Sequence, residues 1–288
     1  LEEFPGFLKR QASSGGTPTY RRPCCVGDIR VKDMGPVTED IDNMLAAMTR
    51  HSPTEGFMNA ASPGVIALFQ PNKHYATQDA YLEALAEAMA AEYKAIVDAG
   101  LILQLDSPDL GLGRHMLFKG KSDEEYQAQA SLHVDALNHA LADIPKDRVR
   151  LHVCWGNYEG PHHHDAPMEM VLPIALRADV GALLFESSNP RHAHEWEVFA
   201  NTSLPDDLIL IPGVIDSTTN FVEHPKLVAE RICRFADIVG RERVIAGSDC
   251  GFSTFAGFGA VDEDIVFAKL ASMGEGARIA SERLWGDS

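Results

Sequence analysis

From about residue 85 onward, short apolar runs recur at intervals between amphipathic stretches, and this alternation constrains the fold more than any other feature of the chain. The runs are LILQL at 101–105, VRLHV at 149–153, GALLF at 181–185, LILI at 208–211 and RVIA at 243–246. Each is short, rich in Leu, Ile and Val, and largely apolar on both faces, which is how strands buried in a parallel sheet read. Helical stretches are expected between them at 81–99, 122–142, 168–178 and 225–239. In the last of these, Pro225 suits the first helical turn and Gly240 the stop. Nearer the start, 22–30 and 56–66 read as extended, with a helix at 38–50 between them, and a final helix is expected over 262–273.

About seven strands alternating with helices point to a parallel α/β architecture, closed or open. No G-x-G-x-x-G follows an early strand, so a dinucleotide-binding open sheet has no support. The expectation is a (β/α)8 TIM-type barrel whose first strand is missing or irregular. Residues 1–288 are read as one barrel domain with an irregular part over 1–35, and Ser13-Ser14-Gly15-Gly16 as a surface loop or hairpin tip.

A net charge of −17, spread along the chain, disfavours nucleic acid and anionic membranes as partners. No run of eighteen apolar residues suggests a membrane span, and the first residues do not read as a secretory signal. The five cysteines, Cys24, Cys25, Cys154, Cys233 and Cys250, are odd in number and widely spaced, unlike a secreted disulfide scaffold. A cytoplasmic enzyme with reduced thiols fits best, and its cysteines near histidines become candidate ligands. Cys24, Cys25 and Cys233 are read as structural.

His152 and Cys154 stand two apart at the end of an expected strand, so both side chains face the same way. Cys250 follows the strand at 243–246, and Glu186 ends the strand at 181–185. In a barrel, the carboxyl ends of the strands share the face that holds the active site. One imidazole and two thiolates suit a tetrahedral zinc ion, and three firm ligands leave a fourth position open for chemistry. Glu186 is the candidate for that exchangeable position. A buried cysteine beside a hydrogen-bonded histidine would look the same in sequence, and the coincidence of four ligand types at strand ends argues against it.

Asp106 and Asp216 also end expected strands and are candidates for substrate contact or proton transfer. Asp249 is expected to orient a ligand rather than bind the ion. His162-His163-His164 is read as a polar loop near the mouth, because three consecutive histidines do not easily converge on one ion.

The His152-Val153-Cys154 pair, Glu186 and Asp249-Cys250-Gly251 resemble the zinc motif of the cobalamin-independent methionine synthase family. Gln104-Leu105-Asp106-Ser107-Pro108 is similar to that family's strand-end segment with a substrate-binding aspartate, and Ala61-Ser62-Pro63-Gly64-Val65 to its loop before the next helix. The resemblance runs from about Gly56 to Trp285. It implies a barrel that transfers a methyl or alkyl group to a thiol. His152, Cys154, Glu186 and Cys250 would hold Zn2+, with Glu186 giving way to the thiol. Asp106 would meet the amine of homocysteine. Ser62 and Asn157 are further candidate substrate contacts and Asp216 and His224 candidate catalytic residues, with Asp216 or a histidine of the 162–164 run as the proton donor to a leaving group. Ser107 stands where the synthases usually have Glu, and Ser217-Thr218 where a histidine is expected. The partners implied are a small thiol and an alkyl donor, and self-association is left open. Single-barrel relatives such as epoxyalkane:coenzyme M transferase share the His-x-Cys…Cys pattern, so alkylation of another thiol is a competing expectation. A zinc hydrolase and a barrel with a decayed site are the alternatives of another class.

Overall fold

A computed structural model of the chain describes residues 3–7, 9, 23–116, 118, 120–252 and 261–286. The first expected strand is not a regular one. Within 23–30 only Cys25 forms a bridge, to Asn72, and Arg22 and the Ser13–Gly16 patch lie outside the described residues. Helix α1 (Gly35–His51) then leads into strand β1 (Phe57–Ala61). The extended stretch expected to reach Ile66 stops at Ala61. Ser62 accepts the Val65 N–H at 3.0 Å and starts helix α2 (Pro63–Phe69), because a capping serine followed by proline favours a helical start over a longer strand.

The repeating pattern follows: α3 (Gln78–Asp98), β2 (Ile102–Ser107), the short α4 (Gly113–Met116), α5 (Asp123–Ala140), β3 (Val149–Val153), α6 (Met168–Ala175), β4 (Ala182–Phe185), α7 (Trp196–Ala200), β5 (Ile209–Ile215), α8 (Pro225–Val239), β6 (Gly247–Ser248) and α9 (Glu263–Trp285). Local chemistry sets these bounds. Ser122 and Glu125 form a reciprocal capping box at the start of α5, and Pro225 and Gly240 (φ 89°) bracket α8 as expected. The strand expected at 243–246 is shifted: Val244 makes only a bridge to Leu210, and β6 itself lies at Gly247–Ser248, after an irregularity in β5 between Gly213 and Ile215. Helix α9 runs twelve residues past its expected end at Met273, through two glycines. Packing explains this: a Cβ on Gly276 would come within 2.9 Å of Pro225 O, so the glycine allows α9 to lie close against α8.

The six strands are all parallel and pair in sequence order, β1 to β6. That is the strand arrangement of a TIM-type barrel, six strands of which lie among the described residues. The outward side chains Leu103, Leu105, Leu151, Val153, Leu183 and Phe185 join the helices in one buried core. The inward positions are different. Ala182, Leu184 and Ile211 form a small apolar cluster, but β2 and β3 carry Gln104, Asp106, Arg150 and His152 on their inner face. The expectation of strands apolar on both faces therefore fails at these two, and the polar side chains lead to the site.

Candidate metal centre

Asp106 and His152 are direct partners in the β2–β3 register. Side chains opposite each other on one face are neighbours, and Asp106 Oδ1 lies 2.9 Å from His152 Nδ1. A carboxylate accepts, so the proton sits on Nδ1 and the Nε2 lone pair is left to coordinate. His152 Nε2 is buried and has no hydrogen-bond partner among the described residues. An orphaned buried nitrogen is costly unless something else binds it.

Two thiols lie beside it. Cys154 is one residue past β3 and Cys250 two past β6, and their sulfurs are 3.7 Å apart. Donor atoms of His152, Cys154 and Cys250 all fall within 4.8 Å of one another. The Gly156 N–H reaches Cys154 Sγ at 3.3 Å, where it would support a thiolate. The donor set and the orphaned Nε2 fit a cation such as zinc.

Glu186, just after β4, stands beside this cluster but is not among the three converging donors. Its Oε1 accepts the Trp155 N–H at 2.9 Å, and its Oε2 accepts the Asn189 side-chain amide at 2.8 Å. The same amide is 3.0 Å from Asp249 Oδ2, so Asn189 ties the two carboxylates together. Asp249 is further held by three backbone N–H groups, those of Ser187, Ser188 and Asn189, at 2.8–2.9 Å. Gly213 makes room for it: a Cβ there would meet Asp249 Cα at 2.7 Å.

Negative charge is crowded here. The hydrogen bond with Cys250, then burial, pushes the Cys154 thiol well above its ordinary range. Burial, with the nearby Cys154 and Asp249, does the same to Glu186. Burial raises Asp249 to about 6 despite the N–H groups that hold it. A divalent cation reverses this logic by favouring the charged forms. Burial also works against charge on Asp106 and His152. Their mutual hydrogen bond and attraction outweigh it, holding Asp106 below its ordinary value and His152 above.

The other expected site residues have visible tasks. Asp216, at the end of β5, accepts the Thr218 N–H and hydroxyl at 2.9 Å each, and its own N–H donates to Glu223. Asn157 accepts from Ser217 Oγ at 2.9 Å and donates to the Gly251 carbonyl, linking the loop after β3 to the segment bearing Cys250. Ser62 is 2% exposed, and besides capping α2 it donates to Asp109 Oδ1. His224 is the N-cap of α8, with Nδ1 accepting the Lys226 N–H. Asn59 and Asn189 were not anticipated. Asn59 donates to Asp106 Oδ2 at 3.0 Å from the neighbouring strand β1; the Glu186-x-x-Asn189 spacing at a strand end was the legible clue to the second.

Comparison with known proteins was decisive for the family. The model of the cobalamin-independent synthase catalytic domain matches residues 6–278. The chain belongs to that family. Within the cobalamin-independent synthase family, it is similar to a methionine synthase of Saccharolobus solfataricus, with 25% identity over 272 residues that cover 93% of the chain and 70% of that protein. It is also similar to the 2-hydroxypropyl-CoM lyase of Xanthobacter autotrophicus, with 28% identity over 176 residues, 52% of the chain and 45% of that protein. Among solved structures, a B12-independent methionine synthase from Shewanella sp. W3-18-1 in complex with selenomethionine aligns with a TM-score of 0.66 at 17% identity, covering 90% of the chain and 70% of that one. This likeness supports the barrel fold expected from the alternation of strands and helices.

Proposed function

We propose that the chain transfers a methyl or alkyl group to the sulfur of a small thiol, using zinc held by His152, Cys154 and Cys250 with Glu186 as an exchangeable fourth ligand. One observation carries the proposal: the orphaned His152 Nε2 converges with two sulfurs 3.7 Å apart at the carboxyl ends of barrel strands. Two sulfur donors favour thiol chemistry over hydrolysis, for which nitrogen and oxygen donors are usual. Zinc bound there would supply a lowered thiol pKa at neutral pH.

The protein's own groups prepare the rest. Asp106, supported by Asn59, fixes the tautomer and ring orientation of His152. The Trp155 N–H and the Asn189 amide give the Glu186 carboxylate two hydrogen-bond donors, a resting place when a thiol enters. Asp216 is the candidate to pass a proton to the departing group, directly or through water. Methyl transfer to homocysteine, the chemistry implied by the methionine synthase relatives, is the first reading. Alkylation of a thiol such as coenzyme M is the second, favoured by the lyase relative.

X-ray absorption at the zinc edge tests the site. Sulfur neighbours should be present in the wild type, increase on addition of the accepted thiol, and vanish in a Cys154→Ser/Cys250→Ser variant. Sulfur ligation that survives both substitutions would sink the assignment. A screen of homocysteine and coenzyme M against methyl donors and epoxides, read as thiol consumption, separates the two readings.

A further inference from the structure

Two members of the histidine run at 162–164 converge, together with a carboxylate from far away in the chain. His162 has φ 50°, the left-handed region that side chains with a Cβ seldom adopt. Its ring is fully engaged, with Nδ1 2.8 Å from Asp165 Oδ2, Nε2 2.9 Å from Tyr158 O, and the Tyr158 ring 4.2 Å away. This anchored turn presents His163 and His164 side by side, with ring centroids 4.0 Å apart. Both Nε2 atoms point at one carboxylate, that of Glu3, at 2.6 and 3.0 Å. Glu3 arrives from 160 residues earlier in the chain, and Phe4 packs edge-on against His163 with centroids 5.2 Å apart.

Three donor atoms, two imidazole nitrogens and one carboxylate oxygen, lie within 4.8 Å of one another. All three residues are at least partly exposed, which leaves room for water to complete a coordination sphere. Hydrogen bonds alone could hold the trio, but they must then order a chain segment through exposed groups that water solvates equally well. A cation between the donors removes that difficulty, since two imidazoles and a carboxylate are good ligands for first-row divalent ions.

We propose that Glu3, His163 and His164 form a second, sulfur-free site for a divalent first-row transition ion, pinning residues 3–7 to the loop at 160–165. The loop is firmly rooted. Asp165 also contacts the buried His192, and the His192 ring lies tilted against that of Trp155 with centroids 4.5 Å apart; the backbone N–H of Trp155 holds Glu186. The ion therefore ties a distant segment to the wall behind the candidate metal centre. The site stands on its own residues and holds whether or not the sulfur site carries zinc.

Cobalt titration of the untagged full chain tests it, because sulfur ligation gives intense near-ultraviolet charge-transfer absorption and nitrogen–oxygen ligation does not. The wild type should bind two equivalents, one with the sulfur signature and one without. His163→Gln/His164→Gln should lose only the sulfur-free equivalent, and Glu3→Gln should weaken it. Cys154→Ser/Cys250→Ser should lose only the sulfur-bound one. The substitutions at 3, 163 and 164 alter surface groups, so circular dichroism should show an unchanged fold. A wild type without a sulfur-free equivalent overturns the proposal. So does a sulfur-free equivalent that persists in His163→Gln/His164→Gln, or one that Glu3→Gln leaves unweakened.

Discussion

Asp106 Oδ1 and His152 Nδ1 are 2.9 Å apart across paired positions of β2 and β3, so the carboxylate decides which nitrogen of the histidine faces the two cysteines. Loss of such a partner commonly weakens metal binding by roughly 10–100-fold. Asp106→Ala should therefore lower zinc affinity at the sulfur site by about that factor, measured by competition with a chromophoric chelator. Asp106→Asn should lie between Ala and wild type, since an amide oxygen can still accept from Nδ1 but without a charge. Equal affinity in all three proteins would show that His152 is not oriented through Asp106.

Gly213 and Asp249 pack with no space between them: a Cβ on Gly213 would sit 2.7 Å from Asp249 Cα and 2.8 Å from its N. These are backbone atoms and cannot swing aside. Gly213→Ala should cost about 1–3 kcal/mol in urea unfolding, the usual range for overpacking a filled interior. It should also weaken metal binding, because Asp249 immediately precedes Cys250. A stable variant with unchanged affinity would show that the strand can move there without consequence.

How much of this was legible in the sequence differs from level to level. Repeating apolar runs gave the parallel strands, since burial on both faces leaves a plain pattern. The shift of β6 was not legible, because RVIA at 243–246 is as apolar as a strand while the irregularity between Gly213 and Ile215 lies in its partner. His152, Cys154 and Cys250 were readable as ligand types at strand ends. Asp106 was read as a substrate contact, and its role beside His152 depends on inter-strand register, which local sequence does not encode. Ser62 carried a helix-cap signature with Pro63, and that local chemistry is what the fold displays. The pairing of Glu3 with His163 and His164 joins segments 160 residues apart and has no local signal at all.

A pH dependence follows from His192, which is 2% exposed. Burial works against its charge, but hydrogen bonds to Asp165 and Glu195 outweigh it and raise its pKa to about 10. An unfolded histidine titrates near about 6.5. A raised folded value means that the folded state holds the proton more tightly. The stabilisation is complete below about pH 6.5 and is lost as pH rises through about 10. Asp165 works in the opposite direction, its lowered pKa contributing above the ordinary carboxylate range and failing in acid. Wild-type stability should therefore fall between pH 6.5 and 10 more steeply than that of His192→Gln, measured by denaturant midpoints. Parallel curves would mean that His192 is neutral in the folded protein.

Lys269 is fully buried on α9, an uncommon place for an ammonium. Its Nζ lies 2.9–3.0 Å from both oxygens of Glu223 and also donates to the Phe221 carbonyl. Glu223 in turn accepts the Asp216 N–H at 2.8 Å, so the last helix holds the loop after β5 through one ion pair. Removing one partner of a buried pair leaves the other charged and unpaired, at a cost of about 3–5 kcal/mol. Lys269→Met should lose that much stability in chemical unfolding. Lys269→Met/Glu223→Gln should recover a substantial part of it, because no uncompensated charge remains. The double variant also separates stability from positioning. If the pair serves to place Asp216, thiol alkylation should stay impaired in the double variant after the fold has been restored. Recovery of both together would reduce Lys269 to a purely structural residue.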